Sequence, residues 1–259
     1  MAEKHSTLMN CAPDFRESVC IHTSKIFDSC KDKDCVEDLR VYPTLCSQEI
    51  IDNSFSIRPR TARLLYADVK VDEINFNRGC YTVDVTYFYE VTGEAFPNER
   101  TVSGLAVFDK RVILYGSEGN SRVFTSRSDG ITTRSNTMPI AVVEAVDPLP
   151  LSMKIVNSDC CCERDCCHEI PDHICCCFAD ELVTERTDRQ LHVSLGQFSI
   201  IRLERDTQLL IPVYDYCLPH KECGGGAEDD PCSIFSGVPF PVDDFFPPNS
   251  TKGHSCACN

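Results

Sequence analysis

Tyr81-Thr82-Val83-Asp84-Val85-Thr86-Tyr87-Phe88-Tyr89-Glu90-Val91 places Tyr81, Val83, Val85, Tyr87, Tyr89 and Val91 on one side of an extended chain, with mostly polar residues on the other. A period of two is the signature of a strand with one face buried and one face wet. Similar texture recurs over residues 63–71, 100–108, 111–115 and 140–145. The segments between carry turn residues: Asn77-Arg78-Gly79, Gly93, Pro97-Asn98, the run from Gly116 to Asn120, and Asp129-Gly130. Strand texture returns at 191–195, 198–203 and 208–214. Many short strands at this spacing predict a mainly β protein with an antiparallel sandwich or barrel-like core.

Outside that core the chain is dominated by cysteine. Eight of the 19 cysteines fall in one 18-residue window, as Cys160-Cys161-Cys162, Cys166-Cys167 and Cys175-Cys176-Cys177. Consecutive Cα atoms lie about 3.8 Å apart, and a relaxed disulfide needs roughly 4.4–6.8 Å. Neighbouring thiols therefore need partners elsewhere: distant cysteines, another copy of the chain, or a soft metal. The spacing divides the chain into a cysteine-bearing N-terminal arm (residues 1–53), a β core (54–156), a cysteine-cluster insertion (157–180), a continuation of the core (181–216) and a Cys/Gly/Pro-rich C-terminal arm (217–259). The arms read as irregular, apart from a short N-terminal helix around Cys35, Val36 and Leu39 that Pro43 would end. On this division a fragment spanning 54–216 is expected to fold alone.

With 259 residues, 42% of them hydrophobic, the chain is long enough to build a core without cysteine as a substitute. A net charge of −15 disfavours nucleic acid and anionic lipid as partners. The opening Met1-Ala2-Glu3-Lys4-His5-Ser6 is polar, and no run reaches the length of a membrane span. Synthesis in a cytosol without a signal peptide, and no membrane insertion, are the expectations. Abundant cysteine in a reducing compartment requires metal binding, redox chemistry or oxidation after synthesis.

A zinc site would draw on Cys162 with Cys166, Cys167 with His168, His173 with Cys175, or Cys30 with Cys35. None of these joins two close pairs at finger spacing. Redox catalysis would want a Cys-x-x-Cys pair at a helix start, which is absent from the sequence. No Gly-x-Ser-x-Gly elbow marks a hydrolase, and the glycines between Gly116 and Asn120 lack the lysine of a phosphate loop. The reading is therefore of a non-enzyme with no cofactor and no dedicated metal site. Cross-linking between copies asks for no such geometry, only for thiols carried on a stable body. The candidates are Cys11, Cys20, Cys30, Cys35, Cys46, Cys160, Cys161, Cys162, Cys166, Cys167, Cys175, Cys176, Cys177, Cys217, Cys223, Cys232, Cys256 and Cys258. The alternative is a cytosolic metal-binding or thiol-buffering protein.

Four strings carry a resemblance: Cys30 to Val41 (CKDKDCVEDLRV), Asn77 to Asp84 (NRGCYTVD), Val112 to Asn120 (VILYGSEGN) and Leu209 to Cys217 (LLIPVYDYC). They resemble cysteine-rich spore-surface proteins of clostridia, of the kind that forms the exosporium basal layer. That resemblance implies self-assembly into rings or sheets, a two-dimensional lattice reinforced by disulfides, and no catalytic residues. It also implies synthesis in the mother-cell cytoplasm and a final place on the spore exosporium or coat. Partners would be further copies of the chain and other spore-surface proteins.

Overall fold

A computed structural model describes residues 20–119, 138–157, 170–210, 235 and 237–245. Seven antiparallel strands form one sheet: β1 (Cys20–Pro43), β2 (Ser56–Glu73), β3 (Cys80–Phe96), β4 (Arg100–Tyr115), β5 (Ile140–Ala145), β6 (Leu149–Asn157) and β7 (Arg189–Leu210). Their order is β2-β3-β4-β1-β7-β5, with β6 pairing a different length of β7 from β5. The sheet curls until its ends approach. Beside β2, the Leu64 amide donates to Asp147 Oδ1 at 2.8 Å from the link between β5 and β6. The position of an absent Gly93 Cβ lies 2.6 Å from Ile57 Cγ2 of β2 and 2.8 Å from Met153 Sδ of β6. The result is a nearly closed antiparallel barrel, the second of the two expected β architectures.

The alternation read from β3 sets the inside. Tyr81, Val83, Val85, Tyr87, Tyr89 and Val91 are all at most 2% exposed and share a core with Val41, Ala106, Leu114, Leu191, Val193, Leu195, Ile201 and Leu203. At one end of the barrel the buried Arg205 donates from Nε to Gly116 O (2.6 Å) and from Nη2 to Tyr81 Oη (3.0 Å) and Ser117 O (2.9 Å). The outer face of β2, β3 and β4 is paired by charge, as in Arg63 with Glu90 and Arg111 with Asp84.

Two outer patches are covered by residues of the expected insertion and C-terminal arm. Ile174, on the helical turn α2 (Asp172–Cys175), docks with Leu182 onto Tyr42, Phe88, Leu105 and Val107. Phe235 is 1% exposed and packs its ring, tilted, 4.6 Å from that of Phe198, filling the space above Gly196 that a side chain there would occupy. Both segments therefore contribute to the packed body.

The boundary expected at residue 53 does not divide the body. β1 lies between β4 and β7 and runs beside β7 almost from end to end, from Cys20↔Leu210 to Val41↔Leu191. Cys35, Val36 and Leu39 are strand residues around a bulge, where Asp38 takes φ 55 and the register shifts between Val36 and Leu39. The N-terminal helix exists, but as α1 (Leu45–Asp52), beginning after Pro43 instead of ending there. Its N-cap is Thr44, whose hydroxyl accepts from the Ser47 amide, and Ile50 and Ile51 bury its inner side. Gly93 is likewise inside β3 and not at a turn. The texture at 100–108 and 111–115 belongs to the single strand β4, and that from 191 through 208 to the single strand β7.

Candidate functional site

Seven of the predicted cross-linking cysteines lie among the described residues, and they separate by state. Cys30 and Cys35 are disulfide-bonded. They sit five residues apart on one strand, opposite Ile201 and Gly196. At about 3.3 Å per residue that spacing is too long for a bridge between the two. Cys20, Cys46, Cys175, Cys176 and Cys177 are free and exposed. Cys80, which was not among the candidates, is free and half-buried at the start of β3. Cys11, Cys160, Cys161, Cys162, Cys166, Cys167, Cys217, Cys223, Cys232, Cys256 and Cys258 lie outside the described residues.

Four of the five exposed thiols gather at one end of the body. The strap that follows Cys177 is tied to α1: Thr44 bridges Leu182, the Leu45 amide donates to Glu181 O at 2.9 Å, and the Cys46 amide donates to Asp180 Oδ2 at 3.1 Å. Cys46 and the Cys175-Cys176-Cys177 triplet therefore share that end, and Cys20 lies at the opposite end of β1. The Cys46 thiol is held above the usual thiol range, first by its hydrogen bond to Asp180 and then by that carboxylate's charge. Cys177 donates its thiol to His173 O at 3.4 Å, and the His173 ring meets Tyr66 edge-on at 4.8 Å. No group of three or more His, Cys, Asp and Glu able to hold a metal occurs among the described residues.

A second constellation, inside the barrel, was not foreseen. β1 and β4 pair only through Val41↔Ala106, Tyr42↔Leu105 and Pro43↔Gly104, and no backbone pairing joins them further along. Side chains bridge the gap there. Lys110 Nζ of β4 contacts Asp32 Oδ2 and lies 2.5 Å from Asp34 Oδ2, both on β1. All three side chains are sequestered, with Lys110 and Asp32 at 8% and Asp34 at 16% exposure. Asp32 Oδ1 also accepts the Lys33 amide at 2.7 Å. Aromatic rings flank the cluster: Tyr87 stacks on Tyr89 and on Phe108, each at 6.0 Å. Burial pushes the Asp34 carboxyl up to about 7 and the Lys110 ammonium down to about 8, so both lean toward their neutral forms. The sequence signal was the charged alternation Lys31-Asp32-Lys33-Asp34, which lacks the apolar periodicity that marks a core strand.

Fold and thiols together define a nearly closed β-barrel body that displays free cysteines on its surface and carries a polar cluster in its core. No known protein-family profile matches the chain, and no solved structure matches it. The chain is similar to Exosporium protein A of Clostridium sporogenes (strain ATCC 15579), with 27% identity over 258 residues that cover 92% of this chain and 76% of that protein. No helix among the described residues is long and apolar enough to cross a membrane.

Proposed function

We propose that this chain is a structural protein of the spore exosporium that assembles with copies of itself into a two-dimensional layer locked by disulfides. The observation that carries the reading is the similarity to Exosporium protein A along nearly the whole chain. The free, exposed thiols at Cys20, Cys46 and Cys175 to Cys177 support it, because they lie at opposite ends of a rigid body and can meet thiols of neighbouring copies. Heterologous contacts that close into rings, and rings that meet at their edges, generate a sheet. Oxidation after release from the mother cell reconciles synthesis in a reducing cytoplasm with a disulfide-bonded final state.

The test is electron microscopy of the purified protein under oxidising conditions, with gels run in the presence and absence of reductant. Ordered rings or sheets with reductant-sensitive high oligomers are expected, and a chelator should leave them intact. A protein that stays monomeric under oxidation, or that loses its fold on metal removal, would overturn the reading in favour of a thiol buffer or a metal site.

A further inference from the structure

We propose that Lys110 and Asp32 condense into an intramolecular amide bond that staples β4 to β1 inside the barrel, with Asp34 relaying protons. The two side chains touch across the part of the sheet where their strands share no backbone hydrogen bonds. Both are shielded from water, and water is the species that would otherwise hydrate the ammonium and reverse the reaction. Holding an amine against a carboxyl in a fixed orientation supplies an effective molarity that can reach roughly 10⁵ M or more, the condition under which condensation proceeds without activation.

The step balances within the cluster. Lys110 Nζ gives one proton to Asp34 Oδ2, which lies 2.5 Å away, and becomes a neutral amine. Its lone pair attacks Asp32 Cγ, forming the C–N bond. The Lys33 amide, 2.7 Å from Asp32 Oδ1, steadies the negative charge that develops on that oxygen. Asp34 then returns its proton to Asp32 Oδ2, the nitrogen passes a second proton to the same oxygen by way of Asp34, and the Cγ–Oδ2 bond breaks so that Oδ2 leaves as water. Asp34 ends as it began, and no oxidant or co-reactant takes part. Its raised pKa and the lowered pKa of Lys110 place both groups near the protonation states that the step uses. The product exchanges a buried ammonium and a buried carboxylate, each costly to desolvate, for one neutral amide.

The experiment is intact-mass measurement of the full, reduced chain, followed by tryptic mapping. The wild type is expected to be lighter than its sequence by one water, with a branched peptide joining Asp32 to an uncleaved Lys110. Lys110→Arg, which keeps the charge but not the nucleophile, should show the full sequence mass. Asp34→Asn should form the bond at least tenfold more slowly than the wild type, read as the fraction of chain lacking one water at successive times after cell-free synthesis. A folded wild type at its full sequence mass, or a water loss mapped to any other pair of residues, would overturn the bond. Unchanged bond formation in Asp34→Asn would overturn the relay.

Discussion

Gly104 stands where β4 begins its short pairing with β1, and a Cβ there would meet Tyr42 O at 2.7 Å and Pro43 Cα at 2.8 Å. Both are backbone atoms of a central strand, so neither can rotate aside as a flexible side chain would. Gly104→Ala is expected to cost about 1–3 kcal/mol through overpacking, read as a lower urea midpoint with an unchanged slope. Cys46 shows a different residue-scale control, because its thiol shares a hydrogen bond with Asp180 and faces that negative charge. The thiolate is the nucleophile, and a raised pKa means less of it at any pH near neutral. The alkylation rate of Cys46 should therefore climb at higher pH than that of an ordinary exposed cysteine. Asp180→Asn removes the charge, so the profile should move to lower pH and Cys46 should react faster at pH 7. An unmoved profile would show that Asp180 does not govern this thiol.

Among the elements, β1 decides what holds the body together. It joins β4 to β7 and supplies Cys30, Asp32 and Asp34 to the interior, so removing it splits the sheet in two and exposes both flanking core faces to water. Deletion of residues 1–53 should accordingly abolish the cooperative thermal transition seen by circular dichroism. A folded fragment with native-like β signal would mean that β2 to β7 can close without it. This is the element least legible in the sequence. β3 and β5 announce themselves because their inward faces are apolar, Tyr81 to Val91 in one and the half-buried Ala141, Val143 and Ala145 in the other. β1 instead turns carboxylates inward to meet Lys110, and its bulge at Asp38 switches the buried parity midway, so no single period runs along it. The same logic hid the continuity of β4 and β7. Asp109-Lys110 and Gly196-Gln197 resemble breaks, yet Lys110 points at β1 and Gly196 accommodates the Phe235 ring. The thiols, by contrast, were legible from their number and spacing. The lysine and aspartates of the interior cluster were not, because only the fold brings them together.

At the scale of the whole molecule, the body and the thiols answer to different forces. The barrel is held by its apolar interior, and the strap before β7 is anchored by Ile174, which is 1% exposed, while Cys175, Cys176 and Cys177 beside it face solvent. Replacing the eight cysteines from Cys160 to Cys177 with serine should leave the body intact, because the three of them among the described residues contribute no packing to the core. Non-covalent docking of rigid bodies would then still set the geometry of an assembly, and disulfides would add resistance. Each bond typically contributes about 2–4 kcal/mol by restricting the unfolded ensemble, so losing several should matter most under heat and denaturant. The eight-serine variant is expected to form rings or sheets in electron micrographs at neutral pH, yet to release monomers at a lower temperature than the wild type. Reductant should narrow that difference, because it removes from the wild type what the variant already lacks. If the variant forms no assembly at all, covalent linkage precedes docking. If it dissociates at the wild-type temperature, these cysteines do not join neighbouring copies.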